Sequence, residues 1–583
     1  MAEAKRVDAM RKRSAAGLLI VLNIIVVGST GGQTRKPVRF EISFPVSLRR
    51  SPLDGRVLLL LAKKDDKEPR FQIGEGVDTQ QIFGADVDGL SPSQAAVIDE
   101  SSQGYPRTSL RDVPDGEYYV QGVLSVYETF HRADGHVLKF HMDQGEGQHW
   151  NLSPGNLMSE PKKIRIGASD NPIKVELTKT IPPIAPPKDT KYVKHFRIES
   201  KLLSKFWGRP MYIGGVVLLP EGFDEHPDVR YPVVYYQGHF KESFATPVEF
   251  RDHPPTPELK DDDRLMAECS YKFYQDWTAG RLPRMLIVSI QHANPYYDDS
   301  YAVNSANVGP YGDAIVEEFM PYVEKTYRAI GQPWARVLTG GSTGGWEALA
   351  QQVFYPDVFN GAWCDCPDPV DFRAYQSIDI YKDKNAFWVD SDWKMVPRPS
   401  TRQPDDMLIS TMQDDARWEA TLGSHGRSTE QLDIWQAVYS PIGPDGYPKP
   451  IFDKRTGVID PEVAQYWKEH YDLRYIMERD WKTLGPKLVG KLHIKVGTRD
   501  TYYLDRAVRL LETFLESTKE TGRGPYYAGD FDYGPYQPHC YSGDPSVPVK
   551  ISRLTINQRF MPQMEAWMLK TAPKGADVKS WRY

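Results

Sequence analysis

Hydrophobic and polar positions follow different rhythms along this chain. Between residues 38 and about 180, short apolar runs such as "VRFEISFPV", "RVLLLLA", "EYYVQGVLSVYETF", "HVLKFHM" and "IKVELT" recur. Asp54-Gly55, Asp88-Gly89, Asp115-Gly116 and Asp134-Gly135 supply turn chemistry in or between them. Short β-prone runs with few helical patterns predict an all-β, sandwich-like N-terminal domain over 38–180. "IPPIAPPKDT", residues 181–190, is proline-rich and stiff and reads as a linker.

From about 191 the rhythm changes. "YPVVYYQG", "RMLIVSIQ", "ARVLTGG" and "KLHIKVG" are apolar runs of buried-strand type. "DAIVEEFMPYVEKTYRAI", "GWEALAQQVFY" and "YLDRAVRLLETFLE" carry helical spacing; in the first, Ile315, Val316, Phe319 and Val323 fall near one face. Strand followed by helix, several times over, predicts an α/β domain with a mostly parallel sheet across 191–575. Residues about 370–480 interrupt this alternation. They are polar, rich in Trp and Tyr, hold short helical pieces and no strong strand, and read as an insertion covering the sheet.

The N-terminus changes the picture of where the chain works. A basic stretch (Lys5, Arg6, Arg11, Lys12, Arg13) precedes the apolar run "AAGLLIVLNIIVV", and small residues "GSTGG" follow. That order is a secretory signal peptide over 1–32, with cleavage expected after Gly32. The run is too short for a membrane span, so an exported (periplasmic or secreted) protein with no stable span after processing is expected. The formal net charge is −6, and no basic stripe lies outside the first 13 residues, which argues against a nucleic-acid partner. Four cysteines, Cys269, Cys364, Cys366 and Cys540, are too few for a disulfide framework.

The chemistry concentrates at "TGGSTGGWEAL". Gly340-Gly341-Ser342-Thr343-Gly344 fits G-x-S-x-G between a predicted strand and a predicted helix. Small residues let strand and helix approach at a sharp turn that exposes the serine hydroxyl. The turn also aims the Thr343 amide at a developing oxyanion. A serine needs a base, and the base an orienting acid. With the order Ser–acid–His, Asp500 after "HIKVGTR" is the acid, and His539 is the sole histidine beyond it. Asp505, Asp530 and Asp532 are rival acids. The second oxyanion amide is expected from the loop after "VVYYQG", at His239 or Phe240. "KDDDR" at 260–264 reads as a solvated loop and Asp313 as a helix cap. Trp346, Trp363, Tyr296, Tyr297, Tyr502 and Tyr503 could line an aromatic pocket or pack a core. No cofactor and no metal is called for.

Taken together, "GPYGDAIVEEFMPYVEKTYR", "GGSTGGWEAL", "YPDVFNGAW", "VGTRDTYYLDRAVRLLETFLE" and "HCYSGD", with the "YPVVYYQGHF" strand before them, resemble the esterase D-like branch of the α/β-hydrolases. That branch includes enterochelin esterases, acetyl-xylan and feruloyl esterases, and mycolyltransferases. The resemblance implies an α/β-hydrolase domain with Ser342 as nucleophile, Asp500 as acid and His539 as base. The β-domain before a catalytic domain is similar to the layout of enterochelin esterases. The spacing of Ser342 and Asp500 departs from a compact member, and the 370–480 insertion accounts for it. The expected function is hydrolysis of a small-molecule or glycan ester. Acyl transfer of the mycolyltransferase kind, or glycan binding on a non-catalytic hydrolase scaffold, are the alternatives. A disulfide from Cys540 to Cys364 or Cys366 is a further expectation, because all three should lie at the active-site edge.

Overall fold

A computed structural model describes residues 37–583 except 168–171, 240–248, 393–394, 521 and 542–548, and the side chains of 549–557. The expected export segment, 1–32, and Phe240 lie outside the described residues. Among those described, no helix is long and apolar enough to cross a membrane.

The N-terminal runs form two sheets. Phe40–Ser43 lies between Ile173–Glu176, parallel, and Ala96–Ile98, antiparallel. An eight-stranded sheet is built on Leu53–Ala62, which pairs antiparallel with Gly116–His131 and with Gln81–Leu90. Phe40 and Ile42 of the small sheet meet Val57, Leu59 and Leu61 of the large one in a single apolar core. Successive strand residues point to opposite faces. Leu58 and Leu60 therefore face the other way, where Trp418 and Leu422 from the 370–480 region cover them. Burial on both faces explains why "RVLLLLA" is continuously apolar instead of alternating.

The large strand also anchors the insertion. Arg56, 5% exposed, donates from Nε and Nη2 to the Thr421 carbonyl (3.1 and 2.8 Å) and from Nη2 to the Ala420 carbonyl (2.9 Å). Its Nη1 pairs with Asp86 at 3.0 Å. These carbonyls end the helix Met412–Leu422, where a cation satisfies acceptors that lack intrahelical donors. Residues Val38–Tyr583 are accordingly one compact unit.

The second sheet is the frame of the site. Its strands are β1 (Val193–Ser200), β2 (Met211–Leu218), β3 (Val233–Gln237), β4 (Leu286–Gln291), β5 (Arg336–Gly341), β6 (Ala362–Asp365), β7 (Leu492–Gly497) and β8 (Asp530–Gly534). They lie in the order β1-β2-β4-β3-β5-β6-β7-β8. β1 and β2 are antiparallel, β2 runs antiparallel to β4, and the remaining pairs are parallel. The four apolar runs read from the sequence are β3, β4, β5 and β7; β1 and β2 alternate apolar and polar, β6 is only four residues long, and β8 is a short edge strand.

Three local expectations are corrected. The helix predicted over 313–330 is interrupted: Tyr311–Ala314 is α-helical, Ile315–Phe319 is π-helical and Met320–Thr326 is α-helical again. Pro321 has no N–H to continue the ladder, which accounts for a widened turn just before it. Asp313 is inside the first of these segments, accepting from the Tyr355 hydroxyl at 2.8 Å, not capping it. "KDDDR" is not a loop: Asp261, Asp262 and Asp263 form the first turn of the helix Asp261–Thr278, where carboxylates oppose the positive end of the dipole.

The insertion is more ordered than its composition suggests. It holds two short strand pairs, Trp388–Val389 with Val396–Pro397 and Pro399–Arg402 with Leu408–Thr411. It also holds the helices Met412–Leu422, Gln431–Tyr439, Pro461–His470 and Leu473–Leu488. Its Tyr439 and Trp467 share one core with the sheet, and Tyr439 packs on Trp346 at 5.2 Å.

Candidate active site

β5 stops at Gly341 and the helix Thr343–Phe354 starts at once. Ser342 between them has φ 57° and ψ −124°, a conformation that costs an L-residue energy and persists only when surroundings impose it. The Ser342 amide donates to the Asp365 carbonyl on β6 at 3.0 Å, which holds the turn. The glycines let it form. A Cβ at Gly340 would meet the Gly344 carbonyl oxygen at 2.4 Å, and one at Gly344 would meet the Gln237 oxygen at 2.1 Å. Strand and helix pass too close for any other residue.

The other two predicted side chains arrive from neighbouring strand ends. Asp500 lies in the loop after β7, and His539 in the loop after β8. His539 Nε2 is 2.9 Å from Ser342 Oγ, and His539 Nδ1 is 2.7 Å from Asp500 Oδ2. Asp500 is fully buried, and its Oδ1 accepts from the Tyr502 and Leu504 amides at 2.9 and 3.2 Å. Arg402 of the insertion donates to the Asp500 carbonyl at 3.0 Å. Tyr502 sets its ring edge-on to His539, centroids 4.9 Å apart. The rival acids are engaged elsewhere: Asp505 with Arg402 at 3.1 Å, Asp530 with His493, and Asp532 with Lys495 at 3.6 Å.

Burial opposes charge on the His539 imidazole. The negative potential of the Cys540 sulfur and the Asp500 carboxylate, with the Asp500 hydrogen bond, outweighs it and holds the ring well above the usual histidine range. Cys540 Sγ is 3.0 Å from Cys366 Sγ, while Cys364 is buried in β6. Burial, the contact with Cys540 and nearby carboxylates push the Cys366 thiol up.

Thr343 opens the helix, fully buried, and its hydroxyl donates to Asp368 Oδ2 at 3.1 Å. The same oxygen accepts from the Tyr301 hydroxyl (2.6 Å), Gln431 Nε2 and Trp435 Nε1 (both 3.2 Å). His239, two residues past β3, has its Nδ1 3.0 Å from both Asp298 Oδ1 and Asp299 Oδ2. Burial opposes its charge, but the two carboxylates hold it well above the usual range. His239, Asp298 and Asp299 bring three potential metal-ligand atoms within 4.8 Å of one another, as do Cys366, His539 and Cys540. In each group the contacting imidazole atom is already engaged, with the carboxylates in the first and with Ser342 in the second.

A cavity of about 340 Å³ opens over Ser342 and His539. Of the six aromatics singled out from the sequence, Tyr297 and Tyr502 line it. Trp346 and Tyr296 are core, Trp363 stacks on His493 at 4.4 Å, and Tyr503 packs under Arg402 at 4.2 Å. Sequence reading missed most of the lining: Trp418, Glu430, Gln431 and Trp435 from the insertion, Gln376, and Glu75 from the N-terminal β region. The Trp-rich character of 370–480 was the available signal. Burial raises the carboxyl groups of Asp415 to about 7 and Glu419 to about 8, and raises Glu430 well above the usual range.

A serine on a strained strand–helix turn, at the carboxyl ends of an eight-stranded mixed sheet in this order, defines an α/β-hydrolase. Residues 208–435 match the family model described as "Putative esterase". No curated protein matches the chain. Among solved structures, it is similar to a ferulic acid esterase, at 15% identity over 64% of this chain and 98% of that one, TM-score 0.36. An S-formylglutathione hydrolase from Agrobacterium tumefaciens matches at 12% identity, covering 66% and 98%, TM-score 0.33. A fluorophosphonate-binding serine hydrolase of Staphylococcus aureus matches at 13%, covering 64% and 97%, TM-score 0.34.

Proposed function

We propose that this chain hydrolyses carboxylic esters with Ser342 as nucleophile, His539 as general base and Asp500 as the acid that orients it. The observation that carries this reading is the pair of contacts through one imidazole, 2.9 Å to Ser342 Oγ and 2.7 Å to Asp500 Oδ2. Asp500 holds the proton on Nδ1, which leaves Nε2 free to take the Ser342 proton as Oγ attacks the ester carbonyl. The tetrahedral oxyanion is met by the Thr343 amide and by a second amide at His239 or Phe240. His539 then gives its proton to the leaving alcohol. Water, deprotonated by the same imidazole, releases the acid. Fluorophosphonate labelling tests this: the modified peptide is expected to carry Ser342, and a folded protein that takes no label there refutes it.

His539 must be neutral to act as base. Because its pKa is raised, activity is lost as pH falls through that value. For the reduced protein, the acidic limb of kcat/KM is therefore expected above the ordinary histidine value of about 6.5. A limb centred below it would contradict this electrostatic account.

The reading extends to an exported protein in which the two sheets of 38–180 form a β-sandwich packed on the 370–480 insertion, and 191–575 carries the catalytic site. In an oxidising compartment the Cys366 and Cys540 thiols would lose two protons and two electrons to a thiol oxidant, join as a disulfide, and tether the His539 loop to β6. Non-reducing peptide mapping of protein secreted from cells is expected to recover a Cys366–Cys540 cross-link, and free thiols at both positions would remove the tether.

A further inference from the structure

The cavity over Ser342 is lined unevenly by acidic and basic side chains. Carboxyl groups of Glu75, Asp368, Asp415, Glu419 and Glu430 line it, and no Lys or Arg does so among the described residues. Glu419 is compensated by Lys454 at 2.6 Å, which also meets Asp433. The other four are in no ion pair among the described residues. The basic groups that do line the cavity, His239 and His539, are each held by carboxylates of their own.

A second observation points the same way. Gln376 lines the cavity at 4% exposure, and its Oε1 is buried without a hydrogen-bond partner. A buried acceptor left unpaired is costly, so a ligand that donates to it recovers part of that cost. The unmatched groups are thus acidic or accepting, and the indoles of Trp418 and Trp435 stand in the same wall. Aromatic faces attract cations as well as covering alkyl chains.

We propose that this cavity selects esters carrying an ammonium group in their acyl or alcohol part, a specificity that rests on Ser342 being the nucleophile. The ammonium supplies N–H donors to Gln376 Oε1 and positive charge to the carboxyl groups. Burial holds Asp368, Asp415, Glu419 and Glu430 toward their neutral forms; an ammonium draws them back to the ionised form, whereas an anionic substrate raises them further. A neutral polyol would donate hydrogen bonds but would not favour the ionised form of the carboxyl groups. The N-terminal β region takes part, because Glu75 comes from it. Its loop is fixed by the Tyr105 hydroxyl, which donates to the Glu75 carbonyl at 2.5 Å, while the Tyr105 ring packs on Trp418 at 5.5 Å.

Binding and turnover are measured separately. Hexylammonium, hexanol and hexanoate are titrated into the full-length wild-type protein and followed by tryptophan fluorescence. Hexylammonium is expected to bind about tenfold or more tightly than hexanol, with hexanoate the weakest. Glu430→Gln is expected to weaken hexylammonium binding by about threefold to tenfold, and so is Glu75→Gln at the exposed rim, where folding is not at stake. Hexanol or hexanoate binding as tightly as hexylammonium would overturn the proposal. In turnover, para-nitrophenyl ε-aminocaproate is compared with para-nitrophenyl heptanoate, and acetylcholine with its uncharged tert-butyl isostere. A higher kcat/KM for the cation in at least one pair is expected, and equality in both overturns the proposal. Hydrolysis of para-nitrophenyl acetate reports on the serine alone. Its absence, with selective hexylammonium binding intact, would refute the catalytic reading and leave the cation site standing.

Discussion

Replacing Ser342 with alanine is expected to lower kcat for ester hydrolysis by about 10⁶-fold, the scale seen when a serine hydrolase loses its nucleophile. The reason is that nothing else can form the acyl intermediate. His539 would still sit beside Asp500 and the oxyanion amides would remain, but they would act only on water. The fold should be indifferent to the change. Ser342 makes no side-chain cap to its helix, and alanine occupies the same strained backbone at φ 57° with the same Cβ. Melting temperature is therefore expected to move little. Ser342→Gly is the informative companion, since glycine adopts positive φ without strain. It should be equally inactive yet somewhat more stable. Wild-type-like turnover of a purified, folded Ser342→Ala protein would end the assignment.

The residues that meet at Ser342 were legible because each carries a local signature. Ser342 has glycines on both sides for close approach, and Asp500 follows an apolar strand. His539 is singled out by being the last histidine in the chain. Those signals are short-range, and the strand–helix alternation around them is also local. What stayed hidden depends on packing between distant segments. β1 reads "VKHFRIES", too polar to stand out, because it is an edge strand with a sheet partner on one side only. Likewise "DFDYG" at β8 closes the opposite edge. The cavity wall is the extreme case. Glu75 and Glu430 are 355 positions apart by their numbers, and nothing in either neighbourhood announces that Tyr105 and Trp418 bring the two regions together. The insertion looked irregular for a related reason. Its helices bury aromatic residues against the sheet instead of forming an independent amphipathic pattern.

Asp500→Asn tests the least visible part of the arrangement. Its expected cost is about 10⁴-fold in kcat, the scale found when such an acid is made an amide in another serine hydrolase. Size and burial hardly change, so the loss must come from protons. Asp500 Oδ1 accepts from two backbone amides. An asparagine that keeps those bonds must place its Oδ1 there and turn its NH₂ toward His539 Nδ1. The ring can then only accept at Nδ1, and its proton moves to Nε2, facing Ser342. In that tautomer the imidazole cannot take the serine proton. It also loses the carboxylate that raises its pKa, so the acidic limb of the residual activity should shift to lower pH than in the wild type. Asp532→Asn is the control, because Asp532 is a half-exposed partner of Lys495 and does not touch His539. Its kcat should stay within about tenfold of wild type. If Asp500→Asn were equally mild, Asp500 would be a loop anchor, and the orienting acid would have to be sought elsewhere.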